Sequence, residues 1–461
     1  MRTITKQRSP AVAVAIFVIA ASVIVSAPAS ERFPFDVELV EVEIHEMPGL
    51  HSFAFAQHEG RWLLIGGRLD GLHARQPMRS FPSADNNTDI YLVDPIERRV
   101  RSVSVLDLPA PQAEQLQSTN MNFHQAGETL FIMGGYGFSP TAGDHITFPS
   151  LITIDVPGMI RAIEENSDIA PFVRRVAGDE YAVTGGQLGR IGDELYLVGG
   201  HRFDGRYNPM SMPTFRQEYT NQIRVFSIPA GDSPTHEVAP VVRLVRSFTD
   251  KAHLRRRDYN LVPQLLPNGT GSYMVSSGVF QADADLPFLY PVEITADGYR
   301  PVPEFRQLLS NYHSAKLPLY DDETGEMHTI FFGGLAQYYY QDGSLIRDDL
   351  VPFVDTISRV TRSPDGTYRE YALPEQMPGL VGTSGEFIPV TTFLHGDPAV
   401  FRSGHLSDGP VVVGHIVGGI RSPQANPFFS NRTHLTAADS SVYAVVLTRT
   451  ETDHREVLDS Q

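Results

Sequence analysis

The chain contains no cysteine and a single tryptophan, and helix-favouring stretches rich in Ala, Leu, Glu and Lys are almost absent. Without cysteine no disulfide bond and no lipid attachment through a cysteine can form, so stability must come from burial of a hydrophobic core. A formal net charge of −17 makes nucleic acid and anionic membrane surfaces poor partners. Hydrophobic residues are 41% and charged residues 20% of the chain, which is typical of a packed globular protein.

Motifs of common catalytic centres are also missing. The 16 histidines are scattered, without the His-Glu-x-x-His spacing of zinc proteases, and no Gly-x-Ser-x-Gly nucleophile elbow occurs. We therefore predict no metal site and no cofactor, and no residue can be assigned a catalytic role.

The N-terminus has the pattern of an export signal. A basic start at Arg2, Lys6 and Arg8 precedes a run of 15 uncharged residues, 11–25, and the small-x-small triplet that ends at Ala29. We predict that residues 1–29 are a signal peptide, that the protein is periplasmic or secreted, and that no stable membrane anchor remains. The alternative is a retained anchor, but a run of 15 residues is shorter than the roughly 20 that span a bilayer.

An apolar strand that runs into a glycine pair recurs along the chain. The pairs are Gly66-Gly67, Gly134-Gly135, Gly199-Gly200, Gly333-Gly334 and Gly418-Gly419, with a degraded copy that ends at Gly278. Successive second glycines are 68, 65, 78, 56 and 85 residues apart. Glycine allows positive φ and close approach of neighbouring backbone, so each pair marks a sharp bend at a strand end. We infer six equivalent units.

Each unit has the same internal order of strands. A first strand such as Ser52–Gln57 precedes the glycine-ended strand, a long polar loop, a third apolar strand and, in several units, a hairpin and a fourth strand. The predicted third strands are Ile90–Val93, Leu151–Ile154, Ile223–Phe226, Phe288–Val292, Phe353–Ile357 and Val442–Val446. Four short antiparallel strands in a repeated order are typical of propeller blades. The sequence therefore predicts an all-β fold, a single six-bladed β-propeller over residues 30–461.

The last unit lacks a fourth strand after Val442–Thr448, while Val37–Ile44 is a strand without a unit. We predict that this N-terminal strand completes the last blade, which removes a free sheet edge; the alternative is that it packs elsewhere. The first strand of the last unit is ambiguous, since Phe401–His405 could replace the segment that begins at Glu386. A helix over Pro157–Glu164 is predicted as a surface insertion.

The repeated strand with its glycine pair, the third strand and the preceding first strand resemble the kelch-repeat superfamily, which includes the central domain of galactose oxidase. The resemblance covers roughly residues 36–448 and implies a kelch-type propeller, without identifying a subfamily. Kelch repeats usually carry a tryptophan in the fourth strand, whereas the one tryptophan here, Trp62, lies in a second strand. The copper-radical cofactor of galactose oxidase needs a cysteine cross-linked to tyrosine, so it cannot form in this chain.

Candidate binding residues lie where a propeller brings its loops together. The 2–3 loops (those joining the second and third strands of a blade) and the starts of the first strands hold Arg68, His201, Arg202, Arg206, Arg257, Tyr259, Tyr312, His313, Tyr339, Glu386 and Asn426. Arginines and aromatic residues on a rigid scaffold favour a polar or anionic small ligand, such as a sugar. The alternative is that long loops simply require polar residues and that a polar ring around the axis bonds to channel water.

Three hypotheses about function follow. The first is a binding protein that takes a polar or anionic small ligand, or a protein partner, through its long 2–3 loops. The second is a carbohydrate-active enzyme of the sugar isomerase or epimerase kind with a site at the channel mouth, which would need facing ionisable groups in a deep pocket. The third is a structural component of an envelope assembly, which would need an exposed apolar patch.

Overall fold

The structure, a computed structural model, describes residues 33–76, 78–208, 214–228 and 242–450. The predicted signal peptide, residues 1–29, lies outside the described residues.

Short strands rich in Val, Ile, Leu and aromatic residues form six four-stranded antiparallel blades, preceded in the chain by β1 (Phe35–Glu41). Blade 1 contains β2 (Ala54–His58), β3 (Arg61–Ile65), β4 (Asp89–Asp94) and β5 (Arg99–Ser104). Blade 2 contains β6 (Asn122–Ala126), β7 (Thr129–Met133), the separate hairpin of β8 (Tyr136–Ser139) and β9 (Asp144–Thr147), then β10 (Ser150–Asp155) and β11 (Val173–Ala177). Blade 3 contains β12 (Gln187–Ile191), β13 (Glu194–Val198), the hairpin of β14 (His201–Gly205) and β15 (Phe215–Tyr219), then β16 (Gln222–Ser227) and β17 (Arg243–Thr249).

The remaining blades follow the same order. Blade 4 contains β18 (Asn260–Leu265), β19 (Gly271–Ser276), β20 (Val292–Thr295) and β21 (Gly298–Pro301). Blade 5 contains β22 (Ala315–Tyr320), β23 (Met327–Leu335), the hairpin of β24 (Tyr338–Gln341) and β25 (Ser344–Arg347), then β26 (Phe353–Arg362) and β27 (Tyr368–Gln376). Blade 6 contains β28 (Glu386–Pro389), the inserted hairpin of β29 (Leu394–Gly396) and β30 (Ala399–Arg402), β31 (Val411–Val417), the hairpin of β32 (Ile420–Arg421) and β33 (Ala437–Ala438), and β34 (Val442–Arg449).

Helices are few and short among the described residues. The α-helices are α1 (Ala110–Leu116) and α2 (Val156–Glu165), and the 3₁₀ turns are Ser83–Asp85, Val105–Asp107, Ala170–Phe172, Asp179–Tyr181, Thr391–Phe393, Ser403–His405 and Thr433–Leu435. None of these helices has the length and apolar character that a bilayer crossing requires.

The N-terminal strand closes the propeller, as predicted. β1 pairs antiparallel with β34, from Phe35 opposite Arg449 to Glu41 opposite Tyr443. Phe35 and Val37 point inward and are each only 3% exposed, so this strand contributes both hydrogen bonds and core packing. The predicted six-bladed architecture with its last blade closed by the N-terminal strand is therefore confirmed, although the strand ends at Glu41 rather than at Ile44.

The glycine pairs end the second strands because side chains would not fit there. A Cβ on Gly67 would lie 2.5 Å from the His51 carbonyl oxygen, and a Cβ on Gly134 would lie 1.9 Å from that of Val183. Both glycines also have positive φ, 80° and 67°, which L side chains rarely adopt. The backbone that leads into a first strand therefore packs directly against the bend, that of the same blade at Gly67 and that of the next blade at Gly134.

A closed ring of backbone hydrogen bonds surrounds the axis. Each blade contributes the residue two positions before its first strand: Ser52, Asn120, Gly185, Asp258, His313 and Ser384. Each of these residues donates its N–H to the carbonyl of its counterpart in the preceding blade, and the first donates to the last, at N···O distances of 2.8–3.3 Å. Five of the six have positive φ. We call this set the axial ring, and it fixes where each first strand starts.

Three details of the sequence-based prediction need correction. The third strand of blade 4 begins at Val292 and not at Phe288, because Pro291 has no N–H to donate to a ladder. The first strand of blade 6 is β28, and β30 instead pairs in parallel with β22 of blade 5. The predicted helix is present as α2 but is not a surface insertion, since its apolar side is buried in a core shared with blades 1 and 2.

Candidate functional site

Two chambers lie on the propeller axis, one on each side of the axial ring. The loop chamber, of about 640 Å³, is lined by the 2–3 loops and the ends of the second strands. The strand chamber, of about 660 Å³, is lined by the first strands and by the β29–β30 hairpin. Five axial-ring residues line both chambers: Ser52, Asn120, Asp258, His313 and Ser384.

The floor of the loop chamber is built by equivalent positions in successive blades. The residue before each axial-ring residue forms a β-bridge with the residue after the glycine bend in five blades. These pairs are His51 with Arg68, Thr119 with Tyr136, Thr184 with His201, Arg257 with Val279, and Thr383 with Ile420. Because the two backbones are locked together, their side chains are held around the chamber by the propeller itself and not by loop conformation.

Arg68 is buried and fully occupied by its neighbours. Its guanidinium makes a bidentate pair with Asp70, with Nε–Oδ1 and Nη2–Oδ2 distances of 2.7 Å, and donates through Nη1 to Asn86 at 2.9 Å. Although burial opposes ionisation, the adjacent His51 and Arg68 lower the pKa of Asp70 to about 2. The Arg68 charge is thus neutralised locally, and its main effect is to hold the first 2–3 loop.

Arg257 retains a donor that no described residue accepts. Its Nη1 forms an ion pair with Asp258, its Nε donates to the Tyr219 hydroxyl at 3.2 Å, and its guanidinium lies 4.9 Å from the centroid of Phe280. Its Nη2 makes no hydrogen bond within the described part of the chain. The nearby Asp258 carboxylate outweighs burial and raises the pKa of Arg257, so the residue remains a cation.

Two tyrosine hydroxyls beside Arg257 are also without protein partners. Tyr207 and Tyr312 line the loop chamber and interact electrostatically with Arg257 and with Tyr219. Neither hydroxyl is hydrogen-bonded to any described residue. Burial raises the pKa of both tyrosines, so both are neutral donors at physiological pH. The result is a patch of three free donor groups over the axial ring.

Aromatic rings and uncharged histidines form the wall above this patch. His73 packs against Phe81, Tyr207 and Phe428 at centroid distances of 5.3, 4.8 and 5.5 Å, and burial lowers its pKa to about 4. Burial also holds the pKa of His201 well below its ordinary value, while its Nδ1 contacts the Gln217 amide at 2.5 Å. At neutral pH both histidines are therefore uncharged, and the wall is aromatic, with Arg75 over the rings of Phe428 and Phe429.

The strand chamber holds a cluster of three ionisable side chains. His313 Nε2 lies 3.1 Å from Glu386 Oε1, Lys316 Nζ lies 3.9 Å from Glu386 Oε2, and Lys316 Nζ lies 3.5 Å from His313 Nε2. Burial opposes the charge on Glu386, but the adjacent His313 and Lys316 outweigh it and lower the pKa of that carboxyl. Burial lowers the pKa of Lys316, and the Glu386 charge offsets this only in part.

The eleven residues predicted to bind a ligand are divided between these chambers and the surrounding structure. The loop chamber is lined by Arg68, His201, Arg257, Tyr312, His313 and Asn426. The strand chamber is lined by His313 and Glu386.

The other four predicted residues line neither chamber. They are Arg202, Arg206, Tyr259 and Tyr339. Arg202 alternates with the inward residues of β14 and pairs with Asp204 at 2.7 Å. Tyr259 points into the core between blades 3 and 4, is 0% exposed and donates its hydroxyl to the Val198 carbonyl. That the lining residues bind a ligand stays a prediction.

The predicted binding residues did not include Lys316, His73 or Tyr207. The rarity of lysine in this chain was the one sequence signal that could have pointed to Lys316. His73 and Tyr207 lie in loops whose course depends on distant contacts. Across the described ranges, no group of three or more His, Cys, Asp or Glu side chains is placed to hold a metal ion.

Comparison with known proteins adds no family. No protein-family model matches the chain, and no curated protein matches it. The molecule is therefore defined by its architecture, a six-bladed β-propeller with a chamber on each side of its axial ring.

Proposed function

We propose that the protein binds a small polar ligand of the sugar type in the loop chamber. The observation that carries this proposal is a group of three donors that no described residue accepts from, the Tyr207 hydroxyl, the Tyr312 hydroxyl and Arg257 Nη2, beneath an aromatic wall. A few placed polar groups within a largely aromatic concavity are the usual composition of small-ligand sites. A chamber of about 640 Å³ is also within the range of such sites.

The charges of the chamber favour a ligand that is neutral or carries one carboxylate. Arg68 is neutralised by Asp70, and Arg257 is paired with Asp258. Arg257 Nη2 and the guanidinium of Arg75, which lines the chamber and donates through Nη1 to the Phe429 carbonyl, are left to meet an anionic oxygen. The tyrosine hydroxyls can donate equally well to a carboxylate or to a ring hydroxyl. A multiply charged anion would find too few donors to replace its water.

The test is thermal unfolding of the full chain with neutral sugars, uronates and sialic acids. A ligand at about 100 times its dissociation constant should stabilise the fold by about 2.7 kcal/mol. Tyr312→Phe removes a hydroxyl that is hydrogen-bonded to no residue in the described ranges, so we expect an unchanged fold and roughly 3- to 10-fold weaker binding, the value of one hydrogen bond. Tyr340→Phe is the matched control, because Tyr340 is 51% exposed and lies outside the chamber. The absence of a shift with every sugar and sugar acid would contradict the proposal.

We further propose that the propeller is of the kelch type and that the protein is exported. The glycine-ended second strands support the first proposal, and the basic start followed by an uncharged run supports the second. N-terminal sequencing of protein recovered outside the cytosol should give a start at Ser30. Recovery of an intact Met1 start from the cytosol alone would refute export.

A further inference from the structure

Lysine is nearly absent from this chain, yet one lysine lies on the propeller axis. Of 37 basic residues only Lys6, Lys251 and Lys316 are lysines, and all others are arginines. Lys6 lies outside the described residues, and Lys251 is exposed. A lysine amine can lose its proton and act as a nucleophile or base, whereas an arginine remains charged in proteins. The lysine at position 316 therefore provides a chemistry on the propeller axis that the arginines of the chain cannot.

Lys316 lies beside a proton acceptor and not in a tight ion pair. Its Nζ is 3.9 Å from Glu386 Oε2, a distance too long for a hydrogen bond, and 3.5 Å from His313 Nε2. Side-chain exposure is 16% for Lys316 and 6% for Glu386. The burial that lowers the pKa of Lys316 increases the fraction of neutral amine, and the Glu386 carboxylate, to which His313 Nε2 donates at 3.1 Å, is the nearby acceptor for its proton.

The surroundings of Lys316 suit an organic ligand more than bulk water. Five aromatic residues line the strand chamber: Phe55, Phe123, Tyr273, Phe387 and Phe401. The other charged or titratable side chains on its walls are His124, Arg190, Asp258 and Asp397. The β29–β30 hairpin covers one side, since β30 pairs with β22 and the Asp397 carbonyl lies against Gly271 of blade 4.

We propose that the strand chamber is a second ligand site, which takes a small aldehyde or ketone with an apolar substituent and binds it reversibly as an imine on Lys316. The neutral amine nitrogen attacks the carbonyl carbon, forming the C–N bond while the C=O electron pair moves to oxygen. The two protons of the amine pass in turn through Glu386 to that oxygen. The first gives the carbinolamine hydroxyl, and the second completes the water that leaves as the C–O bond breaks and the nitrogen lone pair forms the C=N bond. Carbonyl and amine thus become imine and water, without oxidant or reductant.

This site is independent of the loop chamber, because Lys316 and Glu386 do not line the loop chamber and the axial ring lies between the two. A negative result here leaves the proposed sugar site intact, since that proposal is tested with sugars and with Tyr312→Phe.

The experiment traps the imine and maps it to a lysine. The full chain is incubated with benzaldehyde and cyanoborohydride near pH 7, digested and analysed by mass spectrometry for benzylated lysine. We expect Lys316 to be labelled severalfold faster than Lys251, since the aromatic lining of the strand chamber can hold the aldehyde beside Lys316 Nζ and burial lowers the pKa of that amine. The exposed Lys251 is an internal control within the same molecule, and the arginine-rich composition leaves little background.

Two variants separate chemistry from structure. Lys316→Arg keeps the positive charge and should lose the label while the Lys251 labelling rate is unchanged. Glu386→Gln keeps the shape of the side chain but removes the proton acceptor, and should slow labelling of Lys316 severalfold. The unaltered protein alone can overturn the proposal: it is wrong if Lys251 is labelled faster than Lys316 or if Lys316 is not labelled.

Discussion

Protonation of the buried His328 should make the protein less stable in mild acid. His328 is 0% exposed, its Nδ1 lies 2.9 Å from Thr361 Oγ1, and burial together with the nearby Arg359 charge lowers its pKa to about 3. In the unfolded chain a histidine takes up its proton near pH 6.5, whereas the folded chain keeps His328 neutral down to about pH 3. Between these values the unfolded state binds more protons, so the free energy of unfolding falls as the pH falls.

The size of this effect follows from the pKa difference. A pH of 4.5 is two units below the pKa of a histidine in the unfolded chain. His328 alone should therefore lower the free energy of unfolding by roughly 2.7 kcal/mol between pH 7.5 and pH 4.5. Urea unfolding at both pH values measures the loss directly. His328→Gln cannot titrate, so its loss should be smaller than that of the unaltered protein by about this amount.

The matched control is His45→Gln, because the His45 side chain is 89% exposed. This variant should show the same pH dependence as the unaltered protein. If His328→Gln and His45→Gln lose equal stability between pH 7.5 and pH 4.5, the reasoning about burial is wrong.

Three further predictions concern packing and burial. Val37→Ala in β1 should lower the free energy of unfolding, measured in urea, by about 2 kcal/mol. Glu38→Ala, at the exposed neighbouring position, should lower it by less than about 0.5 kcal/mol, and equal losses would contradict the inward orientation of Val37. The ring centroids of Trp62, the one tryptophan, and His415 are 5.0 Å apart, and burial lowers the pKa of His415 to about 4. Tryptophan fluorescence should therefore decrease as the pH falls, with a midpoint near pH 4, and this decrease should be absent in His415→Gln. Asn260 is 0% exposed, donates to the Tyr312 carbonyl and accepts from the Ser314 N–H, both at 3.0 Å. Asn260→Ala should therefore lower the free energy of unfolding by about 2–3 kcal/mol, measured with heat or urea. A loss below about 0.5 kcal/mol would show that the two backbone groups find other partners.

The blade count could be predicted because each blade repeats one steric requirement. A glycine pair is needed wherever a second strand bends against the backbone that leads into a first strand, and this leaves a sequence mark even in the degraded copy that ends at Gly278. The missing fourth strand of the last unit and the extra strand at the N-terminus likewise pointed to closure. These signals are local or depend on simple counting, so a single sequence reveals them.

The chambers could be predicted only in part, because they depend on side-chain direction. Asp258 and Tyr259 are adjacent in sequence, but Asp258 faces the axis while Tyr259 points into the core, and a shift of one residue exchanges the two. The β29–β30 hairpin could not be foreseen either, since its parallel pairing with blade 5 is a long-range contact. Lys316 was overlooked because its neighbours His313 and Glu386 come from separate positions, Glu386 from another blade.

Both chambers require that β1 closes the ring against β34, and a chain without cysteine allows a clean test of that contact. Val40 lies directly opposite Ala444, so the pair Val40→Cys and Ala444→Cys should form a disulfide under mild oxidation and shift the mobility of the denatured, unreduced chain. The control pair Val40→Cys and Val446→Cys is two residues out of register and should cross-link far more slowly. Absence of the first cross-link, or equal formation of both, would contradict the closed six-bladed propeller and the two chambers built on it.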